Sequence, residues 1–156
     1  MVALGLVDTK STADDDAARA NRLRIAAAVE ESRTVDAVLG MPAALLGATS
    51  KVARRGLTAR LEEWIRSQRP DGVAWSQRAM AGRPDRTEAL ARFAGPVTVV
   101  VGEEDTVTPV AAAEHMVSAV PGAMFVLVPA AGHMSAVEDP AVVAGALGDL
   151  WALARS

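Results

Sequence analysis

Two residues of this chain have the type and the placement for acid–base chemistry: Asp105 in VVVGEEDTVTP and His133 in VLVPAAGHMSAVEDP. A carboxylate beside an imidazole fixes which ring nitrogen holds the proton and stabilises the imidazolium. The other nitrogen can then take a proton from a nucleophile. Each residue also has a plainer reading by itself, Asp105 as a turn former and His133 as a hydrogen-bonded loop histidine. Their shared placement sets them apart. Asp105 stands four residues beyond the β-branched run VTVVV (97–101), and His133 stands just after MFVLVP (124–129). Both lie where a parallel sheet presents its ligands, beyond the carboxyl ends of strands. No nucleophile accompanies them. The chain has no Cys, which excludes a thiolate, a disulfide framework and a zinc–thiolate site. Ser50 falls in a helical block, Ser76 in a helix, and Ser135 at a helix start where capping is its natural role. None is on the strained strand-to-helix turn that exposes an attacking serine. His115 reads as surface-exposed, and Glu103, Glu104 and Glu138 as solvated loop charges or caps. No metal or cofactor site is expected.

The elements that must hold this pair follow from the pattern of apolar residues. VALGLV (2–7) is a nearly continuous apolar run, as are 97–101 and 124–129, and such runs predict strands covered on both faces. After the first, Ser11 or Thr12 can cap a helix whose first turn holds Asp14, Asp15 and Asp16, well placed at the positive end of the helix dipole. That helix is expected to reach about Glu31. Gly40 and Pro42 break the apolar stretch 35–46 into two short helices. Leu57, Leu61, Trp64 and Ile65 have amphipathic spacing, and further short helices cover 73–80 and 85–92. Thr108 with Pro109, and Asp139 with Pro140, each read as an N-cap followed by the first helical residue. The order is strand, helical block, strand, helix, strand, helix. It predicts an α/β fold with a parallel sheet and right-handed crossovers. The expected organisation is a first core strand at 1–10, a helical cap at 11–94 and a C-terminal core at 95–156.

The 156 residues are 51% hydrophobic, enough for one globular core. Sixteen basic and nineteen acidic side chains leave a net charge of −3, so nothing marks a nucleic-acid partner or an anionic membrane surface. No apolar run approaches the roughly 20 residues of a spanning helix. Residues 2–7 lack the basic flank of a signal peptide, and the composition suits a cytoplasmic protein. The chain opens on a buried strand, which leads us to expect a segment before it.

The segments G-E-E-D-x-x-x-P at 102–109 and P-x-x-G-H-x-x-x-x-E-D-P at 129–140, each following a strand, resemble the C-terminal signature of α/β-hydrolases. RAMAGRPDRTEAL (78–90) resembles the end of that family's helical cap, most similar to the branch of 3-oxoadipate enol-lactonases and small carboxylesterases. The resemblance implies the three-stranded parallel edge of the α/β-hydrolase sheet, with residues 1–8 as the sixth strand. It makes Asp105 the triad acid and His133 the triad histidine, and it implies an ester or lactone as substrate. Trp64, Trp75 and Met80, with Met41, then either line an acyl pocket or pack the cap helices. The family's G-x-S-x-G pentapeptide occurs nowhere in the sequence. The chain is therefore expected to be a hydrolase half that is inactive alone, or a non-catalytic binding or dimerisation module. Its first strand would offer an open edge at residues 2–7 to a second copy or to an N-terminal half.

Overall fold

Branched apolar residues build the sheet. In the computed structural model, which describes residues 2–155, the strands are β1 (Leu4–Val7), β2 (Val97–Gly102) and β3 (Met124–Val128). They pair in parallel in the order β1-β2-β3. The register runs from Leu4 opposite Val97 to Val7 opposite Val100, and from Thr98 opposite Met124 to Gly102 opposite Val128. Because side chains alternate along a strand, Val97, Val99 and Val101 share one face with Leu4 and Leu6. That face packs on Leu90 of α6 (Thr87–Ala91) and on Ala113 and Met116 of α7 (Val110–Ala119). Val100, Val126 and Val128 point the other way, to Val143 and Ala146 of α9 (Pro140–Leu153). A parallel sheet needs cover on both faces, and these helices supply it.

Full burial holds only for the middle strand. All six residues of β2 are buried, whereas the expectation of two covered faces fails for its neighbours. In β1 Gly5 is exposed and the rest are half-buried, and in β3 Phe125 and Leu127 keep 40% and 39% of their surface. Each of these strands has a partner on one side only, so apolar composition alone overstated its cover.

The chain divides into two compact units. The sheet unit comprises Met1–Ser11, Ala44–Arg55 and Arg86–Ser156. Besides the strands and α6, α7 and α9, it holds α3 (Ala48–Ala53) and α8 (Ser135–Glu138). Residues 44–55 and 86–94, expected within the helical block 11–94, thus lie in the unit of the sheet. Thr12–Ala43 and Gly56–Asp85 form the second unit, with α1 (Asp16–Ser32), α4 (Gly56–Arg66) and α5 (Pro70–Ala81) as its longer helices. There Ala26 and Val29 of α1 pack on Ala74 of α5. The helix cap is Asp15, which accepts from the Ala18 amide at 2.7 Å. Ser11, expected as the cap, hydrogen-bonds Thr87 Oγ1 at 2.7 Å in the sheet unit instead. Two short helices at 35–46 appear as a 3-10 turn (Asp36–Val38) and α2 (Pro42–Leu45). Among the described residues no helix is long and apolar enough to cross a membrane.

Candidate active site

The loops after the three parallel strands converge at the carboxyl edge of the sheet, and each brings a carboxylate. Asp105 follows β2. Its Oδ1 accepts from the amides of Val107 and Thr108 at 2.7 and 2.9 Å, and its Oδ2 accepts from Thr108 Oγ1 at 2.9 Å. Oδ2 also lies 2.9 Å from His133 Nδ1. Burial pushes the Asp105 carboxyl up. The hydrogen bonds from His133 and from the Thr108 amide and hydroxyl outweigh that, and the group sits below the ordinary carboxylate range. Its side chain is inaccessible to solvent, whereas His133 keeps 21%. An ionised carboxylate here requires the proton on Nδ1, since that nitrogen must donate. Thr108 Oγ1, 3.1 Å from Nδ1, has already donated to Asp105 and serves as a second acceptor. Among the described residues nothing hydrogen-bonds Nε2, so its lone pair is available to take a proton.

Thr108 was expected to cap α7. Its hydroxyl is spent on the Asp105–His133 pair instead, and the helix starts two residues later at Val110 with no side-chain cap. At the matching position Asp139 does cap α9, accepting from the Val142 amide at 3.2 Å.

Asp8, the first residue after β1, has the left-handed φ of 46°. Its Oδ2 accepts from Ser135 N and Ser135 Oγ at 2.9 and 2.7 Å, and its Oδ1 accepts from Gly102 N at 3.2 Å. Burial holds its carboxyl above the usual carboxylate value despite these bonds and the nearby His133. Asp8 thus ties the histidine loop to the end of β2. The positional rule that singled out Asp105, a carboxylate just beyond a parallel strand, applies equally to Asp8 and would have found it. The same contact settles Ser135. The residue is fully buried and donates its hydroxyl to a carboxylate, which is anchoring geometry.

Glu138 corrects a second expectation. It is not a solvated charge: it is 1% exposed and accepts from three backbone amides, those of Gly47, Gly132 and Met134. Glu104 accepts from the amide and hydroxyl of Thr49 at 2.8 and 2.6 Å. Glu103 remains exposed and accepts from the Ala130 amide. Backbone here passes so close to backbone that side chains are excluded. A Cβ on Gly102 would lie 2.1 Å from the Gly132 carbonyl oxygen, and one on Gly132 would lie 2.4 Å from Gly47 N.

The structure therefore brings together Asp105 and His133. The other singled-out residues, Trp64, Trp75 and Met80, lie in the second unit. Trp64, on α4, is 39% exposed with the Arg60 guanidinium 4.7 Å from its ring centre. Trp75, on α5, is 71% exposed, and Met80 receives a hydrogen bond from Arg22 at Sδ. A groove inside that unit is lined by residues including Val38, Met41, Val73 and Gln77, and not by these three. His115 is exposed on α7, 3.2 Å from Thr87 Oγ1. Among the described residues no group of three His, Asp or Glu side chains is arranged to hold a metal.

The α/β hydrolase family profile matches residues 2–146. The chain belongs to the α/β-hydrolase family. A thermophilic esterase from Thermogutta terrifontis is 29% identical and superimposes with a TM-score of 0.92, covering 99% of this chain and 57% of its own. A hydrolase from Pseudomonas aeruginosa is 25% identical, with a TM-score of 0.79 and 94% and 54% covered. The enol-lactonase from Burkholderia xenovorans, at 18% identity, shares the fold with a TM-score of 0.78 over 96% of this chain and 56% of its own. The chain thus spans little more than half the length of these α/β-hydrolases. Comparison with curated protein sequences gives no significant match.

Proposed function

We propose that this chain is the acid- and base-bearing half of a serine hydrolase acting on an ester or lactone. The observation that carries the reading is the Asp105–His133 pair, 2.9 Å apart, with the carboxylate buried and, among the described residues, no hydrogen-bond partner at Nε2. The nucleophile comes from outside these 156 residues, because no G-x-S-x-G occurs in them. Its hydroxyl oxygen attacks the substrate carbonyl carbon while Nε2 takes the hydroxyl proton. Asp105 stabilises the imidazolium that forms. His133 then returns that proton to the departing oxygen, leaving an acyl-enzyme that water cleaves by the same route.

The completing segment seats on the free edge of β1 at residues 2–7. Two features support this: among the described residues β1 pairs only with β2, and beside it runs a mainly apolar groove of about 350 Å³ whose lining includes Leu4, Leu6, Leu90, Phe93 and Met116. An uncovered apolar edge favours association. In the absence of that segment a second copy of the chain takes the same edge.

Native mass spectrometry of the purified chain, with hydrolysis of a short-chain nitrophenyl ester on the same sample, tests both statements. The expected result for the chain alone is a homodimer without turnover, and with an added nucleophile-bearing segment a heavier species whose turnover His133→Ala abolishes. Turnover by the chain alone that requires His133 would place a nucleophile within it and overturn the half-enzyme reading. A monomer at every concentration would overturn the edge assignment.

A further inference from the structure

Residues 132–135 are held by three carboxylates, two from the loops after β1 and β2 and one from α8. Asp8 takes both donors of Ser135, Asp105 takes the His133 ring, and Glu138 takes the amides on either side of the histidine. The last arrangement is the most telling. Gly132 N and Met134 N both donate to Glu138 Oε1, at 2.8 and 3.3 Å, so one oxygen pins the backbone before and after His133. The other oxygen, Oε2, accepts from Gly47 N at 2.9 Å. Two residues on, Thr49 is gripped by Glu104 through its amide and its hydroxyl. The loop carrying Asp105 and the helix α8 that follows the His133 loop therefore each send a glutamate to the same short segment, 47–49.

We propose that Glu138 is a positioning residue for His133 and that Gly47–Thr49 is the strut it works against. The proposal rests on the reading of His133 as the general base. The Met134 amide belongs to the peptide group after His133 and the Gly132 amide to the one preceding Gly132, so holding both brackets the backbone at His133 and limits the direction in which the ring leaves it. The Nδ1–Asp105 bond then sets the remaining rotation of the ring. Neither device suffices alone, because a hydrogen bond from a ring on a mobile loop leaves Nε2 free to wander. Loss of about 1 Å of alignment costs an enzyme on the order of a hundredfold in rate. The close approach of Gly47 and Gly132 is part of the same design. A Cβ on Gly47 would meet Glu104 Oε2 at 2.6 Å and Gly132 N at 2.9 Å, so only glycine lets the strut lie flat against the histidine loop.

The test uses the full chain labelled with 15N and follows the histidine ring protons by NMR. The chain has two histidines, and His115, outside the site, is the internal control. Three variants are compared: Glu138→Gln, Glu138→Asp and Gly47→Ala. The glutamine offers one acceptor where the carboxylate offers two, and the aspartate keeps the charge but is one methylene short. The alanine disturbs the strut without altering Glu138. The expected result is a folded protein in which the His133 Nδ1–H signal broadens or exchanges with solvent at least about tenfold faster, the scale for losing one charge-assisted hydrogen bond. The His115 signals stay in place. In the completed enzyme, kcat falls by about a hundredfold with KM unchanged. A folded Glu138→Gln protein with an unaltered His133 signal overturns the proposal. So does unfolding of all three variants, which would make the contact a general stabiliser. The NMR measurement needs no turnover, so a failure to restore activity counts against the functional reading alone.

Discussion

Replacing Asp105 by Asn separates the electrostatics of the pair from its shape. The new Oδ1 can keep the Val107 and Thr108 amides, which donate to Asp105 Oδ1 at 2.7 and 2.9 Å. The new NH2 then occupies the place of Oδ2, facing His133 Nδ1 and Thr108 Oγ1, each 2.9 Å away. It can only donate. Nδ1 must become an acceptor, the imidazole proton moves to Nε2, and the Thr108 hydroxyl turns round. One charge-assisted bond, about 1.5–3 kcal/mol, is exchanged for a neutral one of about 1 kcal/mol. The expected net loss is about 0.5–2 kcal/mol, a fall in Tm of roughly 1–8 °C for a domain of this size. Activity should suffer far more, because the nitrogen facing the nucleophile now carries a proton and cannot act as base. A fall of about ten-thousand-fold in kcat is the scale for that tautomer in a serine triad. Calorimetry gives the first quantity, and 15N shifts of the two histidines give the tautomer without any need for turnover. A folded Asp105→Asn protein in which His133 still carries its proton on Nδ1 would refute the assignment of Asp105 as the orienting acid.

The same carboxylate predicts behaviour in acid. Its folded-state pKa lies below the ordinary 3.8, so its contribution to stability is fully present above pH 3.8 and is lost as pH falls through the folded value. Denaturant titrations between about pH 5 and pH 2 should show a steeper loss for the parent than for Asp105→Asn. Asp8, raised above 3.8, has the opposite sign: its contribution is full below 3.8 and fades as pH rises through its folded value. Gly102→Ala forces a Cβ to within 2.1 Å of the Gly132 carbonyl oxygen. The backbone must shift, and urea unfolding should report a loss of about 1–3 kcal/mol. Ser135→Ala removes the hydroxyl bound to Asp8 but leaves the Ser135 amide bond to the same oxygen. The expected cost is about 1–3 kcal/mol by thermal melting, with no change in labelling of the completed enzyme by a serine-directed phosphonate. Lost labelling would identify Ser135 as the nucleophile.

Local signals carried most of the architecture. Nearly continuous apolar runs located all three strands, and Asp-Pro located α9, because these effects act within a few residues. Where the reading failed, the deciding partner was distant in sequence. Thr108 has the look of a helix cap, yet its hydroxyl is claimed by His133, 25 residues away. Ser11 is drawn to Thr87, 76 residues on. Glu138 reads as a solvated loop charge or a cap, and its burial shows only when Gly47, 91 residues earlier, is folded against it. Apolar composition marked β1 and β3 as strands, and the open edge of β1 was expected only from the family resemblance, since edge status depends on which strands are present to pair.

The sequence by itself determined that an acid and a histidine follow successive parallel strands, and that these residues include no nucleophile elbow. Both are matters of residue type and order along the chain. Only the tertiary structure decided that Oδ2 of Asp105 meets Nδ1 of His133, that Asp8 and Glu138 hold the histidine loop from two further directions, and that a segment from residues 44–55 supports it. Hydrogen bonds of this kind act over about 3 Å, and which groups come that close is settled by packing across the sheet rather than by neighbours in the chain.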